Sequence, residues 1–273
     1  MGDRTTRTAP PRPYLALLRG QARSQASYRT SFVIDLVSNV GVVALDVLAV
    51  LVLFRVTGTL GGFDLREATV MVGLSAFAFA TADLTVGNIE RIRQYVRTGL
   101  LDAVLVRPLG ALAQLVLMDV PVRKASRSVF GLAVLVGALS YAEIDWTPGR
   151  LVLVVVAPLA GIVFFGSIFV ASATVAFWWI ESGEIGSAFT YGGRDFTSYP
   201  VTVYSGWFRA VFAYGLGFAF VSYYPALALL GRPDPLGLPG WVGWVSPAVA
   251  VVAATAAAIA WRVGVRHYRS TGS

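Results

Sequence analysis

The chain of 273 residues has no cysteine, and its only histidine, His267, lies in the last seven positions. Without thiols there is no disulfide, no thiol nucleophile and no thiolate metal site. One histidine near the end builds neither a Ser-His triad nor a histidine metal cluster. Lysine is as scarce. Of 22 basic residues 21 are arginine, and the single Lys124 sits in Pro121-Val122-Arg123-Lys124-Ala125-Ser126. A phosphate-binding P-loop needs a spaced glycine pair followed by Lys and Ser or Thr. That pattern is missing, so the chain carries no Walker-type ATP site. Charge is also short: 14% of residues are charged, where a soluble domain has roughly 25%. With 56% hydrophobic residues and a mean hydropathy of +0.68, there is too little polar surface to coat a water-facing globule.

What is present is a series of long apolar runs. A helix needs about 20 mostly apolar residues to cross a bilayer. Phe32–Phe54, Ala68–Ile89, Leu151–Ile180, Ala210–Gly231 and Val242–Trp261 meet this. A sixth, Val122–Tyr141, opens on Arg123, Lys124 and Arg127, whose long side chains can snorkel to an interface. The first run follows 31 polar or mixed residues. It is longer than the apolar region of a signal peptide and reads as a retained helix.

Six spans put both termini on one side, and basic residues choose that side. With the N-terminus inside, 18 of the 22 basic residues fall inside, leaving only Arg55, Arg66, Arg150 and Arg232 outside. The inner set counts Arg194 and Arg209. The expected topology is N-in, C-in. The net charge of +7 is then a topology signal and not a nucleic-acid patch. Trp146, Trp241 and Trp244 fall at the expected outer ends, and Trp178, Trp179, Trp207 and Trp261 at the inner ends, where aromatic belts form.

Between the spans the sequence is uneven. Residues 1–13 are rich in Arg, Thr and Pro and read as disordered. Over 14–30, Tyr14, Leu15, Leu18, Ala22 and Ala26 recur at helical spacing with Arg19 and Arg23 between them. This predicts an amphipathic helix on the inner leaflet, either a plain anchor or a connecting helix that also meets a cytosolic partner. The rest, 31–273, reads as one six-span membrane domain whose longest inner loop is 90–121. There Ile89, Ile92 and Val96 share a face, apart from Arg91, Arg93 and Arg97. Gly99 suits a left-handed cap. Leu101, Val104 and Leu105 make a second short apolar face, with Asp102 in the first turn where the helix dipole favours an acid. Pro108 blocks continuation. A structured loop of this kind docks a partner or rests on headgroups. The fourth connection, 181–206, has scattered apolar residues and no assignable regular structure.

Three carboxylates lie inside spans: Asp35 and Asp46 in the first, Asp83 in the second. Intramembrane carboxylates are costly and face protein or water. At about 100° per residue, Asp35 and Asp46 lie within roughly 20° of one face and about 16 Å apart along it, with Ser38 and Asn39 close to the same stripe. The stripe is either a lining for cationic or amphiphilic cargo, or for protons, or a hydrogen-bonded helix contact. The small residues Gly161, Gly166, Gly215 and Gly217 read as packing positions.

Several motifs carry a family resemblance. Arg97-Thr98-Gly99-Leu100-Leu101-Asp102 followed by Leu105-Val106-Arg107-Pro108-Leu109 resembles a motif of ABC-2-type permeases, specifically the bacterial six-span ABC-2 family. Phe177-Trp178 with Glu181 is similar to the family's pattern after the fourth span. Tyr199-Pro200-Val201, Tyr204, Trp207, Arg209, Ala219-Phe220-Val221 and Tyr224-Pro225-Ala226 resemble its closing motif. One departure is Gly215-Leu216-Gly217, where members often carry a proline.

The resemblance implies an all-α, type V-like exporter transmembrane domain in a bacterial cytoplasmic membrane. It implies ATP and Mg on separate ATPase subunits, a second permease, identical or a sister, and surrounding lipid as partners. It casts 90–121 as the coupling element, with Arg91, Arg93, Arg97, Gly99, Leu101, Asp102, Arg107 and Pro108 as coupling residues. Asp35, Asn39, Asp46 and Asp83 remain cavity or helix-interface candidates. The competing reading is a proton-coupled secondary transporter using those aspartates. Such transporters show inverted repeats, and none is visible. An intramembrane enzyme lacks the residues, and a non-transporting scaffold stays open.

Overall fold

The computed structural model describes residues 29–108, 110–117, 124–179 and 183–268, with only some side chains in the first helix before residue 48. The expected tail 1–13 and nearly all of the expected helix 14–30 lie outside the described residues. Apart from one bridge between Leu60 and Phe63, the described regular structure is helical.

The order is α1 (Arg29–Thr57), a tight turn, α2 (Leu65–Thr85) and a 3-10 turn Gly87–Arg91. Three short helices follow: α3 (Ile92–Arg97), α4 (Leu100–Leu105) and α5 (Ala111–Leu117). Then come α6 (Ala125–Tyr141), α7 (Pro148–Thr174, extended by Val175–Phe177) and α8 (Gly183–Thr197). A broken stretch holds α9 (Gly206–Arg209), a π turn Ala210–Gly215, a 3-10 turn Phe218–Phe220 and α10 (Tyr223–Leu230). The last helix is α11 (Ser246–His267).

The long helices start where their local chemistry says they should. The Asp64 carboxylate accepts from the Glu67 amide at 2.9 Å, and Glu67 accepts from the Asp64 amide at 3.0 Å, a complete capping box for α2. Thr147 caps α7 ahead of Pro148, where a missing N–H costs nothing. Along the helices, hydroxyls such as Ser167 and Thr174 bond the carbonyls four residues back, Val163 and Val170. That satisfies these hydroxyls in an apolar setting.

Helix α2 is the centre of the bundle. Two thirds (67%) of its apolar window is buried, against 22% for α11. It packs along α6 and α7, and α7 packs along α11. The α2–α6 contact is backbone-close. A Cβ on Gly73 would lie 2.8 Å from the Leu135 Cα, and one on Gly131 would lie 3.0 Å from the Phe77 Cα. Small residues allow this approach where helices must associate by van der Waals packing. On the outside of α7, Leu151, Val152, Val155, Leu159 and Val163 form an exposed apolar stripe. Such a stripe is unfavourable against water and suits hydrocarbon.

Among the described residues three helices are long and apolar enough to cross a membrane: α2, Pro148–Phe177 and α11. Helix α1 has 29 residues, and α6 is shorter at 17. The expected fifth span, Ala210–Gly231, is not one helix. Gly206–Gly215 and Phe218–Leu230 are bent by 58° at a break, where Gly217 takes φ +85°. That left-handed backbone is easy for glycine and strained for other residues.

The two ends of this broken stretch meet at one place. The Thr202 hydroxyl donates to the Gly61 carbonyl at 2.7 Å, and Arg232 donates to the Gly62 carbonyl at 2.6 Å. The chain thus leaves the α1–α2 turn at residue 202 and returns to it at 232. Between these points it dips to Phe218, buried against Phe164 and Phe196. A segment that enters and leaves at the same end is re-entrant. Trp207 and Arg209 follow Thr202 closely, so they belong to the end of the α1–α2 turn and not to the opposite end, where the sequence reading put them.

The connection 181–206, expected to be irregular, contains α8. Its N-terminal Gly183 lies under the Arg93 guanidinium, just beyond the far end of α2. Thr197 meets Ser75 at 2.6 Å, halfway up α2. Tyr199 packs with Val50, Phe54, Ala68 and Val72 near the α1–α2 turn. Residues 183–203 therefore run the length of α2.

Candidate functional site

The segment 87–117 forms an arm at the end of the bundle opposite the α1–α2 turn. It is built inward by a few anchors. Ile89, Ile92, Val96, Leu101 and Val104 are each no more than 3% exposed. Burial of each such side chain is worth about 1.5–3 kcal/mol. Gly99 takes φ +70° between α3 and α4, which turns the chain between two helices too short to be stable alone. Buried amides fix the rest. Asn88 donates to the Leu115 carbonyl and Gln114 to the Val104 carbonyl, each at 3.1 Å. These bonds tie α5 to the 3-10 turn and to α4.

The arm is continuous with the adjoining ends of the long helices. Phe177, at the end of α7, meets Trp261 at 5.4 Å and Tyr268 at 6.1 Å. The buried Tyr268 hydroxyl faces Asp102 without a well-formed hydrogen bond. Burial first, then the Asp102 charge, pushes its pKa up. Arg93, half-buried, lies across Gly183 and so joins α3 to α8. The arm is therefore in packed contact with α7, α8 and α11.

Its outer side is different. Leu100 (53% exposed) and Val106 (83% exposed) flank exposed Ala103. The spacing of three puts them on one stripe, with Arg97, Arg107 and Pro108 exposed around it. An exposed apolar stripe rimmed by arginine has the composition enriched in protein interfaces.

The coupling candidates thus divide. Arg91, Arg97, Arg107 and Pro108 lie on the surface, Gly99 shapes the turn and Asp102 faces Tyr268. Leu101 is 1% exposed and anchors α4, and Arg93 lies across Gly183, so neither belongs to the outer stripe. The surface pair Leu100 and Val106 was missed, because α4 is too short for its periodicity to separate two apolar stripes.

The intramembrane candidates divide as well. Asp35, Asn39 and Asp46 lie on α1, but their side chains are outside the described ones. Asp83 is 1% exposed and lies 2.6 Å from the Lys124 ammonium and 3.7 Å from the Arg127 guanidinium. It is a buried ion-pair centre joining α2 to the start of α6, and a Cβ on Gly87 would strike it.

The architecture is that of a multi-pass helical membrane protein with an arm of short helices at one end. The family model described as ABC-2 family transporter protein matches residues 40–272, and the chain belongs to that family. No curated protein and no solved structure matches it.

Proposed function

We propose that the chain is the transmembrane permease subunit of an ATP-driven exporter. ATP and its Mg would be held and hydrolysed by separate ATPase subunits docked on the arm. The observation that carries this reading is the two-sided α4: Leu101 and Val104 inside the bundle, Leu100, Ala103 and Val106 outside it. A partner closing on the outer stripe would move the inner stripe, and with it the inner ends of α7, α8 and α11.

In this reading six segments cross the bilayer: α1, α2, α6, α7, residues 183–203 and α11. The broken stretch 206–230 enters from the outer face and returns. Moving Arg194 into the membrane and Arg209 outside leaves 16 basic residues inside and five outside, so N-in, C-in still follows. A second copy or a sister permease would complete the path for an amphiphilic substrate. The ion-paired state of Asp83 weighs against the proton-coupled alternative.

The test is functional. The purified chain alone should hydrolyse no ATP, and a co-purified complex should. Arg97→Glu should leave hydrolysis in that complex while transport in vesicles falls. Export that survives ATP depletion and stops on collapse of the proton gradient would contradict the proposal.

A further inference from the structure

We infer that the groove between α7 and α11 is a binding site for an anionic phospholipid, with one acyl chain along the groove and the phosphate on Arg262. Val163 of α7 and Val251, Ala254, Ala258 and Ile259 of α11 line it, and Arg262 closes one end. The α11 residues recur at spacings of three and four, so they share one helix face. Thr255 lies on the same face. Its hydroxyl donates to the Val251 carbonyl at 2.8 Å, which satisfies it within the helix and keeps the wall apolar.

The length of the groove matches one leaflet. From Val251 to Arg262 the helix rises about 16 Å, and half of a bilayer's hydrocarbon core is about 15 Å. The Arg262 end lies at head-group level. Trp261 beside it meets Phe177 at 5.4 Å, and Trp178 stacks on His267 at 5.6 Å, which makes this a belt of interfacial aromatics. It is the arm's end of the bundle, so the leaflet is the inner one in the topology proposed above.

Charge chooses the occupant. Neither wall carries an acid: 151–177 has no charged residue, and 246–267 has only Arg262, Arg266 and His267 as ionisable groups. Arg262 and Arg266 are both exposed, one turn apart on α11, and like charges so placed repel. A phosphate between them relieves that repulsion, and guanidinium forks match its oxygens. Basic sites between membrane helices hold anionic head groups in this way. A zwitterionic lipid brings a cation of its own to the same place. A second copy of the chain fits less well. Copies in one membrane are related by an axis along the membrane normal, so a self-complementary contact here would bring two Arg262 groups together at one depth.

The experiment is native mass spectrometry of the full chain in maltoside detergent, with dioleoyl phosphatidylglycerol and dioleoyl phosphatidylcholine as probes. The anionic lipid should stay bound and the zwitterionic one should not. Arg262→Gln should weaken the anionic lipid about ten-fold, the loss of one charge-assisted contact, and Arg262→Lys should keep most of the affinity. Ala258→Phe fills the exposed groove and leaves Arg262 in place, so it should weaken the same lipid, and it decides the matter if Arg262→Gln does not fold. Equal binding of the two lipids, or unchanged affinity in the folded variants, would overturn the inference. Displacement of the lipid by inorganic phosphate would overturn the assignment to a membrane lipid. Because the chain has no cysteine, Ala258→Cys reports the competing occupant: it should stay monomeric under oxidation in native membranes, and disulfide-linked pairs would replace the lipid by a second copy. No ATPase takes part, so a failure here leaves the permease proposal standing, and a failure to find an ATPase leaves this binding result standing.

Discussion

The Lys124 ammonium lies 2.6 Å from the Asp83 carboxylate, which is 1% exposed. The chain's single lysine therefore neutralises a buried acid 41 positions earlier. Removing one partner of a buried pair leaves an uncompensated charge and costs about 3–5 kcal/mol. Both cations are 29% exposed, which favours the low end. Asp83→Asn should lower the unfolding temperature clearly, and Asp83→Asn with Lys124→Met should recover part of it. A proton-carrying Asp83 predicts the reverse pattern, lost transport with unchanged stability.

Arg93 and Gly183 make a contact with no room for a side chain. Gly183→Ala should push Arg93 away and loosen the arm from α8. The expected result is transport reduced several-fold in a complex that still hydrolyses ATP. Gly186→Ala is the control, because its Cβ would meet Ser172 at an ordinary 3.5 Å. Equal effects of the two substitutions would remove Arg93 from the coupling path.

Much of the bundle was legible in the sequence, and the exceptions have physical reasons. α2, α7 and α11 are apolar on nearly every face, so a hydropathy window finds them. α8 was missed because Glu184, Arg194 and Asp195 interrupt it. Its signal is a stripe of small residues, Gly183, Gly186, Thr190, Gly193 and Thr197, spaced by three and four and pressed on its neighbours. The run 210–231 misled in the opposite sense. It is apolar enough to span, yet Gly217 breaks it. Gly99 and Pro108 were readable as turn chemistry, whereas the Asp83–Lys124 pair leaves no trace in local sequence.

The lack of cysteine makes the re-entrant path easy to test. Single cysteines at Ser205 and Leu238 should react with an impermeant maleimide added to intact cells. One at Gln94 should react only in inverted vesicles. Labelling of Ser205→Cys from the inner side alone would restore a straight fifth span.

Glu90 predicts a pH effect. Burial first, then Asp83, raises its pKa above 4.5, while Lys124 and Arg93 oppose this. The folded chain holds this proton more tightly than the unfolded chain does. The associated stability is full below the unfolded value and is lost as pH rises through the folded one. Glu90→Gln should flatten this decline in thermal unfolding between pH 4.5 and neutrality. An unchanged slope would remove Glu90 as its source.

The central claim is that the outer stripe of α4 receives an ATPase. Its most direct measurement is affinity purification from native membranes of the wild-type chain and of Val106→Glu, with bound proteins identified by mass spectrometry. Val106 is 83% exposed, so the substitution should not affect folding. The wild type should retain a Walker-motif ATPase in stoichiometric amount, and Val106→Glu should lose it while keeping its unfolding temperature. Recovery of no such ATPase with the wild type, or of equal amounts with both chains, would contradict the account.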